Sequence, residues 1–173
     1  MIAEFMPKFA AQSNARAVHI IAHSMGNRGV LRAVDRIAQQ AERASGVPFG
    51  QIILAAADVD AGTFRNLCAA YPKLSKRTTL YVSQRDLAVE SSEWLHDFAR
   101  VGLMPPIFIA PGIDTINVTN ADLTALGHGY VASARDVLQD MHDLIVHGAP
   151  PGKRFGLRAM ATEDGSPYWL IGQ

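Results

Sequence analysis

The stretch "HIIAHSMGNRG", His19 to Gly29, decides how the rest of the chain is read. An apolar run leads into it, a serine sits between small residues, and a helix-compatible sequence follows. Two readings compete. Ser24 is either the hydroxyl of a nucleophile elbow, the sharp strand-to-helix turn written G-x-S-x-G, or an ordinary N-cap for the helix that follows. The elbow form here is Ala22-His23-Ser24-Met25-Gly26, with Ala in place of the first glycine. Taken alone, the five residues fit both.

Working outward, the pattern alternates strands with helices. Before the stretch, Ile2, Phe5, Met6 and Phe9 recur at helical spacing, predicting a helix over Ile2 to Ser13. Val18 to Ala22 is a short apolar run and predicts a buried strand. Gly26 to Arg43 places Val30, Leu31, Val34, Ile37 and Ala41 on one helical face, and Gly46 and Pro48 end it. Ile52 to Ala57 has no polar alternation, as expected of a strand covered on both faces. Ala61 to Tyr71 predicts a helix stopped near Pro72, and Thr78 to Ser83, "TTLYVS", a third strand. A helix over Leu87 to Val101, a Pro-rich loop "GLMPPIFIAPG" and a fourth strand over Thr115 to Thr119 follow. Tyr130 to His147 sets Val131, Ala134, Leu138, Met141 and Ile145 along one stripe, a helix lying on the sheet. Two short apolar pieces around "TEDGSP" predict a closing hairpin.

This order predicts one α/β domain over residues 1–173, with a mostly parallel sheet of about four strands, helices on both faces and right-handed crossovers. Composition agrees: 49% of residues are hydrophobic and 18% charged, typical of a globular chain with its own core. Lys+Arg and Asp+Glu are both 16, so no charge excess points to nucleic acid or an anionic membrane surface. No apolar run approaches the roughly 20 residues of a membrane span. The start has no signal-peptide pattern and Cys68 is the single cysteine, which together favour a cytoplasmic location.

In open α/β sheets, ligands bind beyond the carboxyl ends of the strands. Ser24 ends the first strand, Asp86 follows the third, and His128, in "GHGYV", follows the fourth. A serine hydroxyl becomes a nucleophile when a histidine takes its proton and an acid orients that histidine. Ser, Asp, His is the chain order that the elbow arrangement requires. Each residue alone has an ordinary explanation, since Ser and Asp cap helices and His packs in cores. Their joint placement at one sheet edge favours the elbow. The Met25 amide, at the helix start, is then a candidate oxyanion donor.

These residues resemble the alpha/beta-hydrolase superfamily, and more narrowly a bacterial family of alpha/beta hydrolases of unknown function. The matching stretches are "HIIAHSMGNRGVLRAV", "ILAAADVDAGTFR", "TLYVSQRDLAVESSEWLH", "GIDTINV", "GHGYV" and "YWL", which together span nearly the whole chain. The resemblance implies Ser24 as nucleophile, His128 as general base and Asp86 as acid. Asp58 and Asp60, after the second strand, are alternative acids, with Asp122 a weaker one. It also implies a serine hydrolase of esterase or lipase type, acting on a small-molecule ester or acyl substrate through an acyl-enzyme, with no metal or organic cofactor.

One departure sets a second expectation. Chains of this family are expected to begin with further strands and an "HGYN"-like loop supplying a second oxyanion amide, and nothing like it precedes Ile2. The chain therefore resembles the C-terminal, truncated half of the fold. Loss of an oxyanion donor costs about 10²–10³ in turnover. The edge near Val18 to Ala22 would be apolar and open to strand pairing, so a homodimer through it is expected. The alternative function is a catalytically silent fragment serving self-association or partner binding.

The remaining histidines and arginines have plainer readings. His19 is expected to pack in the sheet and His23 to shape the serine's surroundings, while His96, His142 and His147 face solvent. Arg28 and Arg32 lie one turn apart and are expected to be solvated. No His/Cys/carboxylate spacing suggests a metal, and "GNRG" lacks the length and lysine of a phosphate loop.

Overall fold

A computed structural model describes residues 1–40, 48–83, 99–118 and 131–171. Parallel strands require crossovers, and helices between the strands supply them. In chain order the elements are α1 (Ile2–Gln12), β1 (Ile20–His23), α2 (Gly26–Gln40), β2 (Phe49–Ala55), α3 (Ala61–Leu67) and α4 (Tyr71–Leu74). They continue with β3 (Ser75–Val82), β4 (Ile113–Val118), α5 (Val131–His147), β5 (Leu157–Ala161) and β6 (Pro167–Ile171).

The sheet order is β1-β2-β3-β4-β6-β5. Neighbours from β1 to β6 run parallel, with Ile20 opposite Ile52, Leu54 opposite Leu80 and Ile116 opposite Trp169. β5 alone is antiparallel, joined to β6 as a hairpin. Among the described residues the sheet has six strands, where the sequence predicts about four. The closing hairpin is legible in the sequence, but its docking is not, because strand-like composition does not name a pairing partner. β6 joins β4 and buries Ile171.

Alternation along each strand splits the core in two. Ile52, Leu54, Leu80 and Val82 face one side, packed with Leu31, Val34, Phe64 and Tyr71 from α2, α3 and α4. Ile53, Ala55, Tyr81, Ile116 and Val118 face the other, against Val137, Met141 and Leu144 of α5. Every residue of β2 is buried, as the apolar run from Ile52 predicts, but the strand starts at Phe49 and takes in the buried Gln51, and it ends at Ala55 rather than Ala57.

Several boundaries and faces differ from expectation. β1 starts at Ile20 rather than Val18, and the helix expected over Ala61 to Tyr71 breaks into α3, a 3₁₀ turn at Cys68–Ala70, and α4. Pro72 opens α4 instead of ending a helix, since a first-turn residue needs no amide proton. Leu138 is exposed, and the buried stripe of α5 runs through Val137, Asp140, Met141 and Leu144. A charged residue on that stripe hides its true phase. α1 buries Ala3 and Met6, while Phe5 and Phe9 stack at 5.5 Å on its exposed side. Most of the helix expected over Leu87 to Val101 lies outside the described residues; at its far end Arg100 forms a β-bridge with Asp60.

Candidate active site

Ser24 sits where β1 leaves the sheet. The parallel ladder runs one residue past the strand, with the Ser24 amide donating to the Ala55 carbonyl at 3.1 Å. There the chain turns: Ser24 has φ +50°, and α2 begins two residues later. A non-glycine residue in this left-handed region costs about 1–3 kcal/mol, and the surroundings must hold it there. Ser24 is half-buried and Met25 exposed. A Cβ added at Gly26 would meet no described atom within 4 Å, so packing does not demand this glycine; it leaves room beside the serine.

The two alternative acids are both engaged. Asp60 is the N-cap of α3, accepting from the Thr63 amide at 2.6 Å. That bond holds its carboxyl below the usual carboxylate range. Asp58 is buried, with Oδ2 2.7 Å from Arg28 Nη2 and Oδ1 3.4 Å from Arg100 Nε. Arg28 Nε also donates to the Asp58 carbonyl at 2.8 Å. The expectation that Arg28 is solvated is thus corrected. It stands one helical turn beyond Ser24 and ties the start of α2 to the loop after β2.

Residues 99–104 cross the carboxyl ends of β2 and β3. The amides of Val101 and Gly102 donate to Val59 and Ala57, and Ser83 donates to the Gly102 carbonyl, each at 3.0 Å. A Cβ on Gly102 would lie 2.5 Å from the Ala57 nitrogen, so only glycine passes here. The Pro-rich loop beyond packs inward: Phe108 meets Phe64 edge-on at 5.2 Å, and the Arg65 guanidinium lies over its ring.

Asp86, His128 and Asp122 lie outside the described residues. Strand spacing puts the ends of β3 and β4 about 10 and 15 Å from the end of β1. Asp86 is four residues past Val82 and His128 ten past Val118. At up to roughly 3.5 Å per residue, neither length of chain is by itself too short for that distance.

The family model described as "Alpha/beta hydrolase of unknown function (DUF900)" matches residues 1–146. The chain belongs to this family. No curated protein and no solved structure matches it. The match covers the parallel strands β1 to β4 and nearly all of α5, and leaves the β5–β6 hairpin outside.

His19 lies one residue ahead of β1 rather than in the sheet, half-buried, its Nδ1 accepting from the Gln51 amide at 3.1 Å. His142 and His147 are exposed and His96 is outside the described residues. Among the described residues no group of three or more His, Cys, Asp or Glu is placed to hold a metal, and no helix is long and apolar enough to cross a membrane.

Two features escape a reading of the sequence. Asn27 is fully buried behind Ser24; its signal is a polar residue next to the apolar face of α2. On the opposite side of the sheet, Tyr81 donates to Asp140 Oδ2 at 2.6 Å, and Arg154 Nε lies 3.3 Å from Asp140 Oδ1 with both side chains buried. Burial pushes both the Asp140 carboxyl and the Tyr81 hydroxyl up. This cluster joins β3 and α5, the elements on either side of residues 84–98 and 119–130, to the turn before β5.

Proposed function

We propose that the chain is a serine hydrolase of esterase or lipase type, with Ser24 as nucleophile, His128 as base and Asp86 as the acid that orients it. The observation that carries this is the left-handed conformation of Ser24 at a strand-to-helix turn on the carboxyl edge of a parallel sheet. A capping serine needs no such strain: N-cap residues usually take extended angles. A nucleophile held away from its own backbone does.

In the proposed reaction His128 takes the Ser24 hydroxyl proton as Oγ attacks the acyl carbon. The Met25 amide, just ahead of α2, donates to the developing oxyanion, where a fixed donor is worth more than water. His128 then protonates the departing alcohol, and a water repeats the sequence to release the acid. With Asp58 held by two arginines and Asp60 by its cap, Asp86 is the better choice of acid. Initial-rate assays on p-nitrophenyl acetate and butyrate test the reading. Wild type should turn over and Ser24→Ala should not; equal rates for both would refute it.

A second reading, self-association, has its own support. Among the described residues β1 pairs with β2 only, and Ile21 on that edge is 57% exposed. Phe5, 62% exposed, and Phe9 add apolar surface on α1. Edge strands of this kind invite pairing, and a homodimer through β1 would cover it. Sedimentation of the purified chain distinguishes dimer from monomer.

A further inference from the structure

We infer that Asn27 is a positioning residue, one whose side chain holds Ser24 in its reactive orientation; the inference rests on Ser24 being the nucleophile. Asn27 Nδ2 donates to the Ser24 carbonyl at 2.9 Å and to the Ala55 carbonyl at 3.1 Å. The Asn27 backbone amide adds a third bond, to the Ser24 carbonyl at 3.1 Å. Since the Ser24 amide itself donates to Ala55, one side chain closes a ring from the serine's carbonyl, across to β2, and back to the serine's nitrogen.

The ring grips both ends of the strained peptide. The residue after Ala55, Ala56, also has a left-handed φ, +46°, so Asn27 sits between the two non-glycine turns where β1 and β2 leave the sheet. Its orientation is forced, because exchanging the amide's nitrogen and oxygen would set an oxygen against two carbonyl oxygens. Its Oδ1 is buried without a hydrogen-bond partner among the described residues. A buried acceptor left without a donor is a cost that few native sites carry, and here both donors of the same amide are spent on the turn. A leucine would fill the space without that cost but would release both carbonyls.

Asn27→Asp keeps the shape and removes both donors, and Asn27→Thr restores one. Each is compared with wild type and with Leu31→Ala, a core truncation in the same helix. The probe is a fluorophosphonate, read by intact mass, at a temperature where circular dichroism shows every variant folded. Displacing a reacting group by an ångström costs on the order of 10²-fold. Asn27→Asp should lose about that factor in the maximal labelling rate, with the half-saturating probe concentration unchanged. Asn27→Thr should recover part of the loss, and Leu31→Ala should label within a few-fold of wild type. Should Asn27→Asp not fold, Asn27→Thr alone decides: a rate matching Leu31→Ala overturns the inference. Labelling of wild type and Asn27→Asp at equal rates overturns the inference but leaves Ser24 as nucleophile. No labelling of wild type overturns both.

Discussion

Arg28 and Asp58 meet across the carboxyl edge of the sheet, with Nη2 2.7 Å from Oδ2. This pair gives Asp58 a task of its own in the fold. Its carboxylate is shared with Arg100 and is buried, so it holds three chain segments at the base of the Ser24 turn.

Asp58→Ala should therefore behave as a stability variant. Removing one partner of a buried pair leaves the other charge uncompensated, costing about 3–5 kcal/mol; here that charge is the buried Arg100 rather than the partly exposed Arg28. Urea unfolding should show that loss, while fluorophosphonate labelling of the folded protein should stay within a few-fold of wild type. Asp86→Asn should do the reverse, with a near-wild-type midpoint and little labelling. Reversed outcomes would make Asp58 the acid.

Asp60→Ala should cost about 1 kcal/mol, the usual value of an N-cap. The Thr63 amide lowers the folded-state pKa of Asp60. A lowered carboxyl pKa means stability that is complete above the unfolded value, about 3.9, and lost as pH falls through the folded one. The difference between wild type and Asp60→Ala in urea melts should thus be constant near neutrality and shrink below about pH 4. A difference that grows in acid would contradict the assignment.

Much of this architecture is legible in the sequence. The second half of β2, Ile52 to Ala55, reads plainly because it is covered on both faces and apolar throughout, whereas its first residues, with the buried Gln51, do not. The first crossover reads plainly because α2 keeps an unbroken apolar face. Faces broken by a buried polar group read poorly: Asp140 shifts the apparent stripe of α5, and Leu138, expected to face inward, points out. The exposed Phe5 and Phe9 mislead in the opposite sense, since hydrophobic spacing reports a helix but not which side is covered. At the candidate site, the turn at Ser24 is legible from its small neighbours. Asn27 and the Arg28–Asp58 pair are not, because both depend on contacts between β1–α2 and the end of β2, 28 and 30 residues apart in the chain.

The buried Tyr81–Asp140–Arg154 cluster gives a prediction far from Ser24. Tyr81→Phe leaves Asp140 Oδ2 without its donor and should cost about 1–3 kcal/mol. Arg154→Met leaves the carboxylate without its counter-charge and should cost more, about 3–5 kcal/mol. Chemical denaturation of both variants checks the order. Equal and negligible losses would mean that the cluster contributes nothing net.

Sedimentation velocity across micromolar concentrations should find a dimer, and Ile21→Lys, which places a charge on the β1 edge, should shift it to monomer. A wild-type monomer throughout would remove the self-association reading and leave the proposed chemistry untouched.

The most direct test of the central claim is intact mass after exposure to a fluorophosphonate, for wild type beside Ser24→Ala and His128→Ala. An activated serine predicts one adduct on wild type and none on either variant. Absence of any adduct on folded wild type, or an adduct that persists in Ser24→Ala, would contradict Ser24 as the nucleophile.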